Sequence, residues 1–314
     1  RLVRSAMTDL GGQQKLAEQY TREVHWAITS TPLFTHGASD FGRTFPSSKF
    51  YLDLWGECYP HLAHIPIKTW ITDLATDRNL LVGKRFEQLV EFWFQHNPHF
   101  ELLATNHQLI CKEITEGEID VLATHHDSGI TYHFELACKL FLSSDNSSNW
   151  QSWIGPNGRD TLAEKMNKLE EQSTRLYSAA GKSFLNSLGL DAITPVCWVK
   201  GYFFHHISTM SAPKAPLMAN SGYPSGYWMQ LVEAKAFFSG QRLWAILERK
   251  HWIGPYASSD QVDLIPEKEL FEVLDNRLNE TGYPMLLACM SQTDNGWHEE
   301  HRGFVVGDGW PRVH

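Results

Sequence analysis

Residues 117–139 constrain the fold of this chain more than any other segment, because they predict two strands joined by a tight turn. One acid, Asp120, lies on the first strand, and Glu135 and Lys139 lie on the second. Carboxylates on adjacent strands can converge on one hard cation, and a lysine beside them can stabilise a developing negative charge. The segment therefore predicts a site suited to metal-assisted cleavage of a phosphodiester.

Strand alternation places His133, Glu135 and Lys139 on one face of the second strand. Charged groups in so apolar a strand are costly unless they are paired or used. An ion pair between Glu135 and Lys139 would explain them as well, and a solvated strand edge would explain Asp120. His133 is a candidate accessory ligand or base, with a core histidine as the alternative.

The elements around this hairpin predict an α/β layer core, because helix, three strands, helix and strand follow one another between 80 and 204. The predicted elements are helices at 13–28, 69–77, 83–94, 159–178 and 266–278, and strands at 107–114, 118–125, 130–141, 195–204, 227–232, 242–248, 284–291 and 302–306. Residues 30–66 are predicted to be irregular or short-stranded. A Pro-, Ser- and Gly-rich segment at 208–226 predicts a boundary, so we expect an extension at 1–79, a core at 80–207 and a β-rich C-terminal extension at 208–314.

The predicted helix at 159–178 carries hydrogen-bond donors on one polar stripe. These are Lys165, Lys168, Gln172 and Arg175. Such a stripe can contact phosphate groups, although a solvated helix surface is the alternative. Acidic residues on the same helix nearly balance its charge.

Four motifs follow one another along the chain: Gly83-x-x-x-Glu87, Gly-Glu-Ile-Asp120, Glu135-x-x-x-Lys139 and a following helix with Gln172. Their order resembles the PD-(D/E)XK nuclease superfamily, and within it a bacterial family of uncharacterised proteins. The resemblance implies a restriction-endonuclease-like core, with a central mixed sheet flanked by helices. It also implies a Mg²⁺ or Mn²⁺ site formed by Glu87, Asp120 and Glu135, with Lys139 acting on the attacking water or the phosphoryl charge. Gln172 or Lys165 would contact phosphate.

The second strand departs from the superfamily pattern at one position. Ala137 occupies the place of the usual lysine, and the lysine comes two residues later at Lys139. At ~3.3 Å per residue, the Cα atoms of Glu135 and Lys139 would be about 13 Å apart. Either Lys139 still serves from its new position or the site is degraded.

Two functions follow from this resemblance. The first is a metal-dependent nuclease that hydrolyses DNA or RNA phosphodiester bonds. The second is a catalytically inactive protein of the same fold that binds nucleic acid or acts as a protein-interaction scaffold. A third class, a hydrolase with zinc at His298 and His301, has less support, because no third ligand is evident and a solvated loop is the simpler interpretation of that run.

Composition restricts the remaining classes. The formal net charge of −9 counts against a nonspecific nucleic-acid coat, but it leaves room for a local basic groove. No apolar run reaches the roughly 18–20 residues that span a bilayer. Five scattered cysteines without a CxxC pair favour a reducing compartment, so we expect a cytoplasmic protein without a membrane partner.

Overall fold

A computed structural model describes residues 10–34, 45–75 and 80–311. The helices are α1 (Leu10–Thr29), α2 (Ser48–Leu62), α3 (Ile67–Asp73), α4 (Val82–Gln95), α5 (Leu162–Thr174), α6 (Ala179–Ser187), α7 (Leu231–Phe237) and α8 (Glu267–Thr281). The strands are β1 (Phe100–Cys111), β2 (Ile114–His125), β3 (Thr131–Ser143), β4 (Trp153–Ile154), β5 (Thr194–His206), β6 (Ser225–Gln230), β7 (Leu243–Leu247), β8 (Ala257–Ser258), β9 (Ile265–Pro266), β10 (Met285–Thr293) and β11 (Gly296–Val306). The described helices include none with the length and apolarity to cross a membrane.

All of these strands belong to one mixed sheet, in the order β1-β2-β3-β5-β6-β11-β10-β7-β9, with β4 beside β3 and β8 beside β11. The central strands β3, β5, β6 and β11 are parallel, and the strands on either side of them are antiparallel. The predicted α/β class, with a central mixed sheet flanked by helices and with C-terminal strands, is confirmed. The strands after residue 208 extend the same sheet, and the three predicted domain ranges remain predictions.

Both faces of the sheet are covered at β3, where most side chains are buried. Phe134, Leu136 and Leu140 pack in a cluster with the buried residues of α1, α2 and α4. Ala137 and Phe141 pack on the opposite face against apolar residues of α5. The helices α4 and α5 therefore lie on opposite faces of the same strand.

The sheet has an opening along one edge of β3. Strand β2 pairs with β3 only from Val121–Phe134 to Thr124–Thr131, and β4 joins β3 at Leu142 and Ser143. Between these two points, residues 135–141 of β3 have no strand partner on that edge within the described ranges. The opening leaves space for side chains from both helix layers, and the candidate site lies there.

Some predicted elements were wrong. The range 30–66 contains the helix α2, because Tyr51, Leu54, Cys58 and Leu62 form a buried stripe that outweighs an internal Gly and Pro. The predicted helix at 159–178 ends at Thr174, and a 3₁₀ turn and the helix α6 follow it. The run 297–301 lies in β11 and is not a loop. Positions 35–44 and 76–77 of the predicted elements lie outside the described residues.

Candidate functional site

A cavity of about 190 Å³ lies at the opening beside β3, and we call it the carboxylate cavity. The predicted site residues that line it come from four elements of the fold. They are Glu87 on α4, Asp120 on β2, Glu135 and Lys139 on β3, and Lys165, Lys168 and Gln172 on α5. The structure therefore brings the predicted carboxylates, the late lysine and most of the predicted phosphate contacts to one place.

Asp120 lies where β2 leaves β3. Its Oδ2 accepts a hydrogen bond of 2.7 Å from the backbone N–H of Leu136, so the carboxylate takes the place of a ladder partner. Burial raises the pKa of Asp120 to about 7, and the negative charges of Glu87 and Glu118 add to the rise. A carboxylate in this position gains from any cation that enters the cavity.

Lys84 supplies a cation that was not predicted from the sequence. Its Nζ is 2.5 Å from Oε2 of Glu87 and 3.9 Å from Oε1 of Glu118, and both lysine and acids line the cavity. The hydrogen bond to Glu87 raises the pKa of Lys84. Lys84 precedes Glu87 by three residues, and this helical spacing was the available signal.

Glu135 and His133 are neighbours on the face of β3 that packs on α5. Glu135 is 3% exposed, and its Oε2 is 3.7 Å from Nε2 of His133. Glu135 lines the carboxylate cavity, whereas His133 is not among its lining residues. His133 thus lies behind Glu135 and outside the lining of the cavity, and its accessory role stays a prediction.

Lys139 lies further along β3, on the face of Glu135. Burial lowers the pKa of Lys139, and the positive charges of Lys165 and Lys168 lower it further. The backbone of Gly201 on β5 lies so close that a Cβ there would be 1.7 Å from the carbonyl oxygen of Lys139. This contact fixes the path of β3 at the lysine.

A capping box and an apolar face fix the position of helix α5 and of the hydrogen-bond donors on it. Thr161 and Glu164 form a capping box at its N-terminus. Its apolar residues pack on β3, which turns Lys165, Lys168 and Gln172 toward the cavity. Lys165 also forms an ion pair of 2.9 Å with Asp160.

Arg175, the fourth member of the predicted stripe, is not among the residues that line the cavity. It follows α5 in a 3₁₀ turn, and its side chain packs over Gly117 so closely that a Cβ there would meet its Cδ at 2.3 Å. The change from α-helical to 3₁₀ geometry takes the residue off the stripe.

The carboxylates do not form a ready three-ligand group. Among the described residues, the group whose ligand atoms lie within 4.8 Å of one another is Cys289, Glu300 and His301. Cys289 lies on β10, beside His301 in the register, and was not predicted from the sequence as a ligand. Arg242 contacts the same cluster, with Nη1 2.9 Å from Nε2 of His301, so a cation already lies there. His298 is not part of the group.

Comparison with known proteins identifies the family. The profile of the family described as Domain of unknown function (DUF1853) matches residues 22–306, and the chain belongs to that family. Searches of curated proteins and of solved structures gave no match to this chain.

Proposed function

We propose that this chain is a divalent-metal-dependent phosphodiesterase of the PD-(D/E)XK nuclease type, which acts on DNA or RNA. The observation that carries the proposal is the carboxylate cavity. Four acids, the half-buried Lys139 and Lys84 meet there from α4, β2 and β3, and donors from α5 line the opposite side. The residues that carry the resemblance to the superfamily are spread along the sequence, and those with charged or amide side chains line one cavity.

The donor chemistry fits Mg²⁺ or Mn²⁺. Glu87, Asp120 and Glu135 offer carboxylate oxygens, which hard cations prefer over nitrogen and sulfur. Burial raises the pKa of Asp120, and the negative charges of Glu87 and Glu118 raise it further against the opposing charge of Lys84. Glu87 would have to release Lys84 to act as a ligand, because their side chains form an ion pair.

The proposed reaction is hydrolysis of a phosphodiester. Water adds to phosphorus, the bond to the leaving oxygen breaks, and that oxygen takes up a proton. When bound, the metal would polarise a phosphoryl oxygen and lower the pKa of a water. Lys139 positions the attacking water or stabilises the charge on the phosphoryl group. Lys165, Lys168 and Gln172 hold phosphate oxygens by hydrogen bonds.

A pair of substitutions on α4 tests the proposal. Glu87→Gln removes a cavity carboxylate, whereas Glu91→Gln, one turn later, alters a residue that bonds Thr105 and Asn106 of β1. We expect Mn²⁺-dependent cleavage of DNA or RNA by the wild type, abolished in Glu87→Gln and Asp120→Asn and retained in Glu91→Gln. Circular dichroism checks that each variant is folded.

Two results would contradict the proposal. One is a wild-type protein that neither binds Mn²⁺ nor cleaves varied DNA and RNA. The other is cleavage that Glu87→Gln and Asp120→Asn leave at the wild-type rate.

A second candidate is a catalytically inactive scaffold of the same fold that binds nucleic acid. The ammonium of Lys84 favours it, because it lies against Glu87 and Glu118 where a metal would need carboxylate oxygens. Ala137 also stands where the superfamily has its lysine. In this case the wild type binds nucleic acid in EDTA and does not bind Mn²⁺, and Lys84→Met gains Mn²⁺ binding in calorimetry. Lys49→Met, which breaks an exposed ion pair with Asp53 on α2, is the control.

A further inference from the structure

We propose that a single polynucleotide strand leaves the carboxylate cavity along the open edge of β3 and ends against Tyr283. The inference rests on the proposed function for the class of substrate. It adds the path, the strandedness and the residues that bind the strand away from the site of cleavage.

Two further cavities continue from the candidate site. The edge cavity, of about 260 Å³, shares Lys139 and Lys165 with the carboxylate cavity. The tyrosine cavity, of about 380 Å³, shares Arg159 and Arg249 with the edge cavity. Each cavity thus has a wall in common with the next, and the three form a track from the carboxylates to Tyr283.

Beyond the carboxylate cavity the track is basic, although the chain is acidic. Lys139, Lys165, Arg159 and Arg249 line the edge cavity, and Asp160 is the acid among its described lining residues. The tyrosine cavity has Arg159 and Arg249 and no acid among its described lining residues. In a chain of formal net charge −9, such a concentration of cations indicates a polyanionic ligand.

Local structure holds the far end of the track in place. Arg159 lies on the loop before α5, which closes through a 2.7 Å hydrogen bond from Gly155 N–H to the carbonyl of Asp160. Tyr283 follows Gly282, whose left-handed conformation, at φ 65°, ends α8. The guanidinium of Arg249 lies 5.7 Å from the centroid of the Tyr283 ring.

The exposed ring of Tyr283 favours a single strand over a duplex as the ligand. It is 59% exposed beside a cation, so one face of a flat ring is open to a ligand. A basic groove with an exposed aromatic ring is the arrangement with which proteins bind unpaired nucleotides, since a free base can stack on the ring. In a duplex the base faces are already stacked on one another.

Binding of labelled DNA in EDTA, measured by fluorescence anisotropy, tests the track apart from cleavage. We compare single strands of about 4 and about 16 nucleotides, the range that such grooves cover. The variants are Arg159→Ala/Arg249→Ala and Tyr283→Ala. The matched controls are Lys268→Ala/Arg277→Ala, which removes the same charge from exposed positions of α8, and Tyr59→Ala, an exposed tyrosine of α2.

We expect both track variants to weaken binding of the long strand by about tenfold or more and to leave the short strand within about threefold. The controls should stay within about threefold for both lengths. The inference is overturned if the long strand does not bind, if track and control variants behave alike, or if a duplex binds more tightly and Tyr283→Ala has no effect.

Failure of the proposed function gives a different result. Length-dependent binding that the track variants reduce, together with no cleavage in Mn²⁺, would refute the nuclease and leave the track standing. Mn²⁺-dependent cleavage that the track variants do not alter, with binding equal to the controls, would refute the track alone.

Discussion

Replacing Asp120 by Asn should make the protein more stable while it destroys the proposed activity. The carboxylate of Asp120 is half-buried beside Glu87 and Glu118, and burial raises its pKa from 3.8 to about 7. The amide of Asn keeps an oxygen that can accept the hydrogen bond from Leu136. The substitution therefore removes a poorly solvated charge without leaving a backbone donor unpaired.

The size of the effect follows from the linkage between pKa and stability. Because the folded pKa is raised, the wild type loses stability as the pH rises from 3.8 through about 7. At about 1.36 kcal/mol for each pH unit, the whole interval corresponds to roughly 4 kcal/mol. Solvent screens part of the interaction at a half-buried group, so we expect Asp120→Asn to gain roughly 2–4 kcal/mol at pH 8 and almost nothing at pH 3.5.

Urea unfolding followed by tryptophan fluorescence at a series of pH values measures this gain. Asp53→Asn, at an exposed position of α2, is the control and should change the free energy of unfolding by less than about 0.5 kcal/mol. Saturating Mn²⁺ should stabilise the wild type and narrow its difference from Asp120→Asn, since a metal that binds the native state adds to its stability. A variant less stable than the wild type at pH 8, or a gain independent of pH, would refute the reasoning.

Two further predictions concern the support of the site. The carboxylate of Glu23 accepts hydrogen bonds from the buried guanidinium of Arg85, from Nε at 3.0 Å and from Nη2 at 2.6 Å. Glu23→Ala should therefore lower the free energy of unfolding, measured in urea at pH 7, by about 3–5 kcal/mol. Burial alone would raise the pKa of Glu23, but the charges and hydrogen bonds of Arg85 and His251 together hold the pKa below its ordinary value. The stabilisation should therefore persist at neutral pH and fall away in acid, and a Glu23→Ala cost that is unchanged at pH 3 would contradict this account. Gly201 has φ 142°, and a Cβ added there would lie 1.7 Å from the carbonyl oxygen of Lys139. Gly201→Ala should therefore lower the free energy of unfolding by about 3 kcal/mol or more and reduce Mn²⁺-dependent cleavage. Gly56→Ala on α2, where a Cβ meets nothing within 4 Å, is the control, and equal unfolding midpoints for the two alanine variants would count against a close approach at Gly201.

The sequence predicted which side chains share a face more closely than it predicted the boundaries of the elements. Strand alternation placed Glu135 and Lys139 on one face, and the structure has both in the carboxylate cavity. Helical spacing likewise predicted Lys165, Lys168 and Gln172. The predicted stripe does not extend to Arg175, because the helix changes to a 3₁₀ turn there and the side chain lies over Gly117.

The sequence missed residues whose role depends on distant neighbours. Lys84 has an ordinary position at the start of a helix, and only the packing of α4 against β2 brings it to Glu118. Arg249 lies in a 3₁₀ turn after β7 and Tyr283 follows the C-cap of α8, and nothing in their local pattern relates them to Lys139. Both line the tyrosine cavity with Arg159, although β7 and β10 are separated from β3 by other strands of the sheet.

By itself, the sequence determined the α/β class, the common face of Glu135 and Lys139 on their strand, and the polar face of α5. These features depend on the periods of a strand and a helix. The tertiary structure decided where β2 leaves β3, and therefore where the sheet opens and a cavity can form. It also placed Lys84 among the acids and connected the cavity to a basic track. These features arise from contacts between residues far apart in the chain, and a local pattern of side chains carries no record of them.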